Sequence, residues 1–335
     1  MVRFGQFPGN PGEVPAQPGW AGIRTLTLRD YVLEPARRGP LLVDRHLLIL
    51  VTVGHGTQEV DFRTYPCRPG SLLWVQPGQV VRHGGQAGLD AIMVWWTPET
   101  MRDLGVLPVA PAFAAGHWQL AGEDEDAVIS EVSQLVVDCQ RHRGDRLAAD
   151  LLRHQLAVLL LRLALLPRDP ADPGVLPSGV LPPGVLSSGV PPSGRSPAGA
   201  EPPPSTRDGR GPTGSALDGV DPTGTFWRLR HEVERSYGQT RRVEDYAGRL
   251  DCSVRTLTRA CLAATGRSAK QVIDERVALE ARRLLAATDL SVADVGRRLG
   301  FPEPTNFGRF FQREVGHSPG AFRAALAGSP PAVPG

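Results

Sequence analysis

VEDYAGRLDCSVRTLTRACLAATGRS, residues 243–268, and VADVGRRLGFPEPTNFGRFFQREVGHS, residues 292–318, are two copies of one pattern. They align at an offset of 49 up to Thr256 and Thr305 and of 50 thereafter, so that Asp245 meets Asp294, Ala247 meets Gly296, Leu257 meets Phe307, Arg259 meets Arg309 and Gly266 meets Gly316. Each copy reads as a short helix, a tight turn (Asp251-Cys252-Ser253; Gly300-Phe301-Pro302) and a longer, arginine-bearing helix. The small residue of each first helix, Ala247 or Gly296, lets the second helix cross it closely. That is the arithmetic of a helix-turn-helix, whose second helix is left to enter a major groove. One such unit is a weak signal, because the spacing also occurs in ordinary bundles; a repeat is a strong one. Between the copies, Ser268–Ala286 reads as one helix of 19 residues. At ~1.5 Å per residue it spans close to 30 Å, near the ~34 Å between successive major grooves on one side of a duplex.

The surrounding region is helical throughout, with further helices expected over Thr225–Tyr237, Val243–Leu250, Ser253–Ala264, Val292–Leu299, Pro304–Val315 and Gly320–Leu326. Asp289 and Ser291 are N-cap candidates and Gly300 a C-terminal stop. Charge follows the same division. Residues 225–335 carry 18 basic and 12 acidic side chains, against 15 and 17 in residues 1–166 and 4 and 6 in residues 167–224. The whole chain is only +2, so the basic excess belongs to the C-terminal third, where it fits a nucleic-acid contact better than a membrane surface.

Upstream, residues 167–224 hold 14 Pro and 11 Gly and no apolar periodicity, and Gly174, Gly179, Gly184, Gly189, Gly194 and Gly199 recur every five residues. This stretch reads as a disordered Pro/Gly pentapeptide linker, with few contacts expected across it. Before it, the runs IRTLTL, HLLILVTVG, QEVDFRTY, SLLWVQ and DAIMVWW are broken by Gly and Pro every 8–12 residues, which is the pattern of a small antiparallel barrel or sandwich. From Glu123 the period becomes helical: Val128, Val132, Leu135, Val136 and Cys139 share one face, and Leu152, Leu156, Leu159, Leu163 and Leu166 form a stripe on a second helix. That stripe suits either a seam with a second copy of the chain or packing on the chain's own barrel. With 335 residues, two cores are affordable. No apolar run reaches the roughly 18 residues of a membrane span, and the N-terminus lacks a signal peptide's apolar middle, so a cytoplasmic protein is expected. Four cysteines without a CxxC pair argue against a disulfide framework or zinc site.

GRSAKQVIDERVALEARRLLAATDLSVADVGRRLGFPEPTNFGRFFQREVGHSPGAFR resembles the C-terminal DNA-binding domain of AraC/XylS-type transcriptional regulators, most specifically in ARRLL, LGF, NFGRFF and the G-x-S-P-x-x-F-R ending at Arg323. HLLILVTVGHGTQEVDFRTYPCRPGSLLWVQPGQVVRHG is similar to the cupin-like sensor barrel that many such regulators carry. The resemblance implies a multidomain chain: an N-terminal arm over 1–22, an all-β cupin-like effector-binding and dimerisation domain with two C-terminal helices over 23–166, the linker over 167–224, and an all-α domain with two helix-turn-helix motifs over 225–328. Position by position it makes Arg255, Thr258 and Arg259 groove-facing in the first recognition helix, and Thr305, Asn306 and Arg309 in the second, with Phe310 and Phe311 in the core. Four positions depart from the family pattern: Ala260 and Cys261 stand where a bulky aromatic and a basic residue are usual, Asp251 where glycine is common, and Val81, after P-G-Q-V, where relatives often have the histidine that here comes at His83.

The function these readings predict is a sequence-specific DNA-binding transcriptional regulator that responds to a small-molecule effector, and not an enzyme. Its expected partners are double-stranded promoter DNA, the effector, a second copy of the chain and RNA polymerase, with no membrane. An effector pocket would be apolar with a few polar orienters, for which His46, Trp74, His83 and Trp95 are the candidates, with Trp96 beside them. No cofactor and no metal site is expected. The rival reading, a metal-dependent cupin enzyme fused to a DNA-binding domain, needs an H-x-H ligand pair that the sequence lacks. A third, an architectural DNA binder with a degenerate barrel, would show no response to an effector. Gly54-His55-Gly56 reads as a hairpin turn, and Trp227 and Tyr246 as core.

Overall fold

The structure, a computed structural model, describes residues 20–32, 39–83, 88–104, 116–141, 146–166 and 222–327. The linker stretch up to residue 221 and most of the N-terminal arm lie outside the described residues. The N-terminal half is built on two antiparallel sheets. One has five strands, in the order β1 (Ile23–Thr27), β8 (Asp90–Trp96), β3 (His46–Val53), β6 (Ser71–Val75) and β9 (Gly116–Gln119). The other has four, in the order β2 (Leu41–Leu42), β7 (Val80–His83), β4 (Gly56–Val60) and β5 (Arg63–Cys67). A short helix, α1 (Leu28–Val32), follows β1.

The unbroken apolar run of β3 follows from burial on both faces. Leu47, Ile49 and Val51 point into the core between the sheets, with Leu73, Val75, Met93, Trp95, Val60 and Val81. Leu48 and Leu50 point the other way, with Leu72, Trp74, Val94 and Trp96, against α2 (Gly122–Arg141) and α3 (Arg146–Leu165). The two helices are fastened to each other by polar contacts as well. Buried Asp138 accepts hydrogen bonds from Gln134 (2.9 Å) and Gln155 (2.6 Å), and Arg162 donates to Glu131 at 2.8 Å.

Two expectations change here, and one alternative left open is decided. The run QEVDFRTY is not one strand but the β4–β5 hairpin, turned at Asp61-Phe62 with both residues at positive φ (49° and 64°). No glycine marks that turn, which is why the sequence hides it. Gly54-His55-Gly56 is not a hairpin turn: it links β3 and β4, which belong to different sheets. Gly54 has φ 79°, and a Cβ there would stand 2.0 Å from the carbonyl oxygen of Gly88. The stripe Leu152, Leu156, Leu159, Leu163 and Leu166 is core of its own domain, between 0% and 8% exposed. The face of α3 left to solvent is a different one, with Leu147, Leu151, Val158, Leu161 and Leu165 exposed.

The C-terminal region is helical: α4 (Pro222–Ser236), α5 (Val243–Arg249), α6 (Val254–Thr265), α7 (Ala269–Ala287), α8 (Val292–Arg298), α9 (Pro304–Val315) and α10 (Pro319–Ala327). The first of these starts at Pro222, three residues before the expected Thr225, with the proline at a position where its missing N–H costs nothing. By compactness the described chain divides into two units, one holding residues 222–274 and the other the barrel with residues 275–327. Among the described residues no helix is long and apolar enough to cross a membrane.

Candidate nucleic-acid interface and effector site

The sequence repeat is a repeat of backbone geometry. In the first copy the turn after α5 places Asp251 at φ 52°, and the N–H of Cys252 reaches back to the Ala247 carbonyl at 3.0 Å. In the second, Gly300 holds φ 76° and Phe301 N–H bonds the Gly296 carbonyl at 2.9 Å. Asp251, the departure from the usual glycine, therefore adopts the glycine conformation, which an aspartate tolerates better than most residues. The small residue does what the spacing implied. A Cβ on Gly296 would lie 3.0 Å from the Cβ of Phe307, so α8 and α9 cross at the closest approach a glycine permits.

The recognition helices also end alike, at Gly266 (φ 71°) and Gly316 (φ 85°). Their starts differ: the Ser253 hydroxyl caps α6 by accepting from Thr256 N–H at 3.0 Å, whereas α9 starts on Pro304 after an uncapped Glu303. Of the two N-cap candidates before α8, Ser291 does the capping, accepting from Asp294 N–H at 3.1 Å. The inner faces differ in bulk. The second copy packs Phe301, Phe307, Phe310 and Phe311 with centroids 5.0–5.9 Å apart. The first buries Leu257, Ala260 and Cys261, with Tyr246 donating its hydroxyl to the Thr240 carbonyl at 3.0 Å. Burial raises the Cys261 thiol to about 11, so it stays protonated and inert. Trp227, expected in the core, is half-buried.

Opposite those inner faces lie the six predicted groove residues. Arg255 and Arg259 on α6, and Thr305, Asn306 and Arg309 on α9, are exposed, while Thr258 is half-buried. Their arginines differ from their neighbours. Arg249 is held by Glu232 (3.0 Å), Arg276 by Glu280 (3.1 Å), Arg297 by Asp294, Arg313 by Glu314 (2.7 Å), and Arg323 by the carbonyls of Leu285 and Leu290. Arg255, Arg259 and Arg309 have no ion-pair partner among the described residues. Three unpaired guanidinium groups on the outer faces of two equivalent helices are available for phosphate or base edges.

The four effector candidates do not gather at one place: strand alternation sends His46 and Trp74 to one face of the five-stranded sheet and Trp95 to the other, where it faces His83 of the four-stranded sheet. His46 and Trp74 lie under α2 and α3: Trp74 Nε1 donates to His46 Nδ1 at 3.4 Å, and His46 stacks on Trp96 with centroids 5.1 Å apart. His83 and Trp95 lie between the sheets, each beside Tyr31, whose ring is 5.2 Å from His83 and 6.0 Å from Trp95. Gln58, not anticipated from sequence, joins this second group through its Oε1, 2.8 Å from His83 Nδ1. A signal for it existed, since Gln58 is a polar residue in step with the inward-facing Val60. With Gln58 offering an acceptor, His83 carries its proton on Nδ1 and presents Nε2 as an acceptor. Burial lowers both His46 and His83 to about 4, so both rings are neutral. His83 Nε2, Gln58 Nε2 and Trp95 Nε1 are buried without a hydrogen-bond partner. Among the described residues no group of three or more His, Cys, Asp or Glu side chains is placed to hold a metal ion.

A two-sheet barrel with two covering helices, followed by a duplicated helix-turn-helix, is the architecture of a ligand-binding module joined to a DNA-binding module. Residues 36–157 match the AraC-like ligand binding domain and residues 246–325 the helix-turn-helix domain. The chain belongs to the AraC-type transcriptional regulators. It is 34% identical over 76 residues to the HTH-type transcriptional activator RhaS of Citrobacter koseri and, equally, to that of Klebsiella pneumoniae. Each match covers 23% of this chain and 27% of the relative, so the chain spans about a quarter of the length of these curated relatives. Among solved structures it is similar to the DNA-binding domain of AdpA in complex with a target DNA (35% identity, TM-score 0.28, 32% of this chain and 93% of that one). It is also similar to ToxT from Vibrio cholerae O395 (11% identity, TM-score 0.41, 92% and 99%).

Proposed function

We propose that the chain regulates transcription by binding promoter DNA through α6 and α9, under the control of a small molecule held between the sheets of the barrel. The observation that carries this reading is the set of exposed, unpaired Arg255, Arg259 and Arg309 on equivalent faces of a duplicated motif whose other arginines are largely paired. Affinity would come from arginine–phosphate contacts and selectivity from the few side chains that reach base edges. The effector site is the group around His83, Gln58 and Trp95, where one acceptor and two donors are buried unsatisfied; leaving each so costs about 1–3 kcal/mol, which a ligand's polar edge would recover. Two copies of the chain associate through the exposed face of α3, on which Leu147, Leu151, Val158, Leu161 and Leu165 follow heptad-like steps of four and three with His154 between. RNA polymerase is the further partner such a regulator would engage.

Fluorescence anisotropy of the full chain on a promoter fragment and on random DNA, across a salt series, tests the central claim. The expected result is tighter binding to the promoter and a logarithmic affinity that falls linearly with the logarithm of salt. A chain that binds neither DNA at low salt is not this kind of regulator.

A further inference from the structure

The turn Asp61-Phe62 is an unusual way to close a hairpin. Two consecutive positive φ angles at a two-residue turn are normally supplied by Asn-Gly or Asp-Gly. A phenylalanine at φ 64° is costly, and such outliers persist where the surroundings enforce them. Here the surroundings come from the second half of the DNA-binding region, which belongs to the same compact unit as the barrel. The Phe62 ring lies under the guanidinium of Arg282, 4.1 Å from its centroid, and meets Phe322 of α10 edge-on at 5.6 Å. Beside it the Asp61 carboxylate takes a forked pair from Arg283, with Nε at 2.8 Å and Nη2 at 2.6 Å. Both side chains of that pair are 9% exposed. Asp61 accepts two more hydrogen bonds from within the barrel, from Gln79 Nε2 at 2.7 Å and Val80 N–H at 3.0 Å. Few contacts were expected between the parts of the chain on either side of the linker; this one is buried and charged.

We infer that Arg282, Arg283 and Phe322 form a receptor for the Asp61-Phe62 turn, and that this docking fixes the α9 reader to the barrel. The reader is held and not masked, since Thr305, Asn306 and Arg309 stay exposed in the docked unit. A removable charge pair buried this deeply is destabilising to break from one side, because the other charge is left desolvated. The turn also ends the strand that carries Gln58, while Val80, held by the Asp61 carboxylate, begins the strand that carries His83. The docked residue therefore ties together the ends of the two strands that bear the effector group. In this respect the inference rests on the proposed function of the barrel: a ligand that pulls on Gln58 and His83 acts on the strands that Asp61 joins.

Hydrogen–deuterium exchange on the full-length chain tests the docking, with Phe62→Gly and Arg283→Gln as variants. Phe62→Gly relieves the backbone and removes only the inserted ring, so the barrel keeps its fold even where a change at Asp61 would disturb Gln79 and Val80. The expected result is exchange about tenfold faster at residues 279–285 and 319–325 in Phe62→Gly, and at residues 60–64 in Arg283→Gln. On a promoter fragment selected from random-sequence DNA by the wild-type chain, Phe62→Gly should bind about tenfold more weakly, since an untethered reader must be ordered on binding. Wild-type exchange rates in both folded variants overturn the inference, and so does unchanged promoter affinity in a Phe62→Gly chain that has lost protection. A wild-type chain that shows the docked exchange pattern yet binds no DNA counts instead against the regulator reading.

Discussion

Arg309 stands one helical turn beyond Thr305 and three residues past Asn306, so these exposed side chains share a face of α9. If that face lies in the major groove, the guanidinium fork can bridge two acceptors of a guanine, worth about 1–3 kcal/mol of discrimination. Arg309→Ala is accordingly expected to weaken promoter binding by roughly 5- to 100-fold while leaving random-DNA binding nearly unchanged. A backbone contact would behave differently, weakening both DNAs alike and lowering the salt slope by roughly one; anisotropy titrations on both DNAs across salt separate the two. The buried histidines make a second prediction at this scale. His46 and His83 sit at about 4 in the folded chain, below the ordinary 6.5, so between these values the unfolded chain binds protons that the folded chain does not. Stability is therefore complete above about pH 6.5 and is lost as pH falls toward 4, by up to about 3 kcal/mol per histidine. Urea melts of the full chain at pH 7.0 and 5.0 should show this loss, and His46→Phe should reduce it by about half.

The contact that shapes each helix-turn-helix is the crossing of its two helices, and the second copy has no room to spare. Gly296→Ala places a Cβ 3.0 Å from Phe307 Cβ and 3.1 Å from its Cγ, in a cluster where Phe301, Phe310 and Phe311 leave the ring little freedom. The expected cost is about 1–3 kcal/mol, read as a lower denaturation midpoint of the full chain. The first copy carries alanine at the matching Ala247, where Leu257 replaces the phenylalanine, so the same methyl group is accommodated. Helix α3 shows the same logic at larger scale. It has apolar residues on two faces, and packing decides which is core: the Leu152 stripe covers the sheet, and the Leu147 stripe remains outside.

For the whole molecule, that outer stripe sets the expected assembly. A double change, Leu161→Glu with Leu165→Glu, alters residues that are 51% and 86% exposed, so the fold should be kept while self-association is lost. Sedimentation at tens of micromolar checks it. The expected outcome is a dimer for the wild-type chain and a monomer for the variant, with a melting temperature changed by only a few degrees. Two wild-type monomers in solution would remove α3 as an interface. The opposite change, Leu156→Glu on the inner stripe, should unfold the barrel, because it buries an unpaired carboxylate against Trp74 and Trp96.

The duplicated helix-turn-helix was fully legible in the sequence, because its determinants are local: a small residue, a left-handed turn and a C-terminal glycine at fixed steps, repeated. The six groove candidates came from the family resemblance and not from spacing; helical spacing agrees with it only in separating the face bearing Phe307, Phe310 and Phe311 from that bearing Thr305 and Arg309. The existence of a β barrel was legible too, from short apolar runs. What the sequence could not determine was which side of each strand meets which layer. His46 and Leu47 are neighbours in the chain yet face opposite cores, so whether a histidine joins an effector site depends on sheet order, and the candidates separated accordingly. The Asp61-Phe62 turn was hidden for a related reason. Its conformation is enforced by Arg282, Arg283 and Phe322, more than 200 residues away, and only tertiary structure brings such partners together, because a contact between distant segments leaves no periodicity in either one.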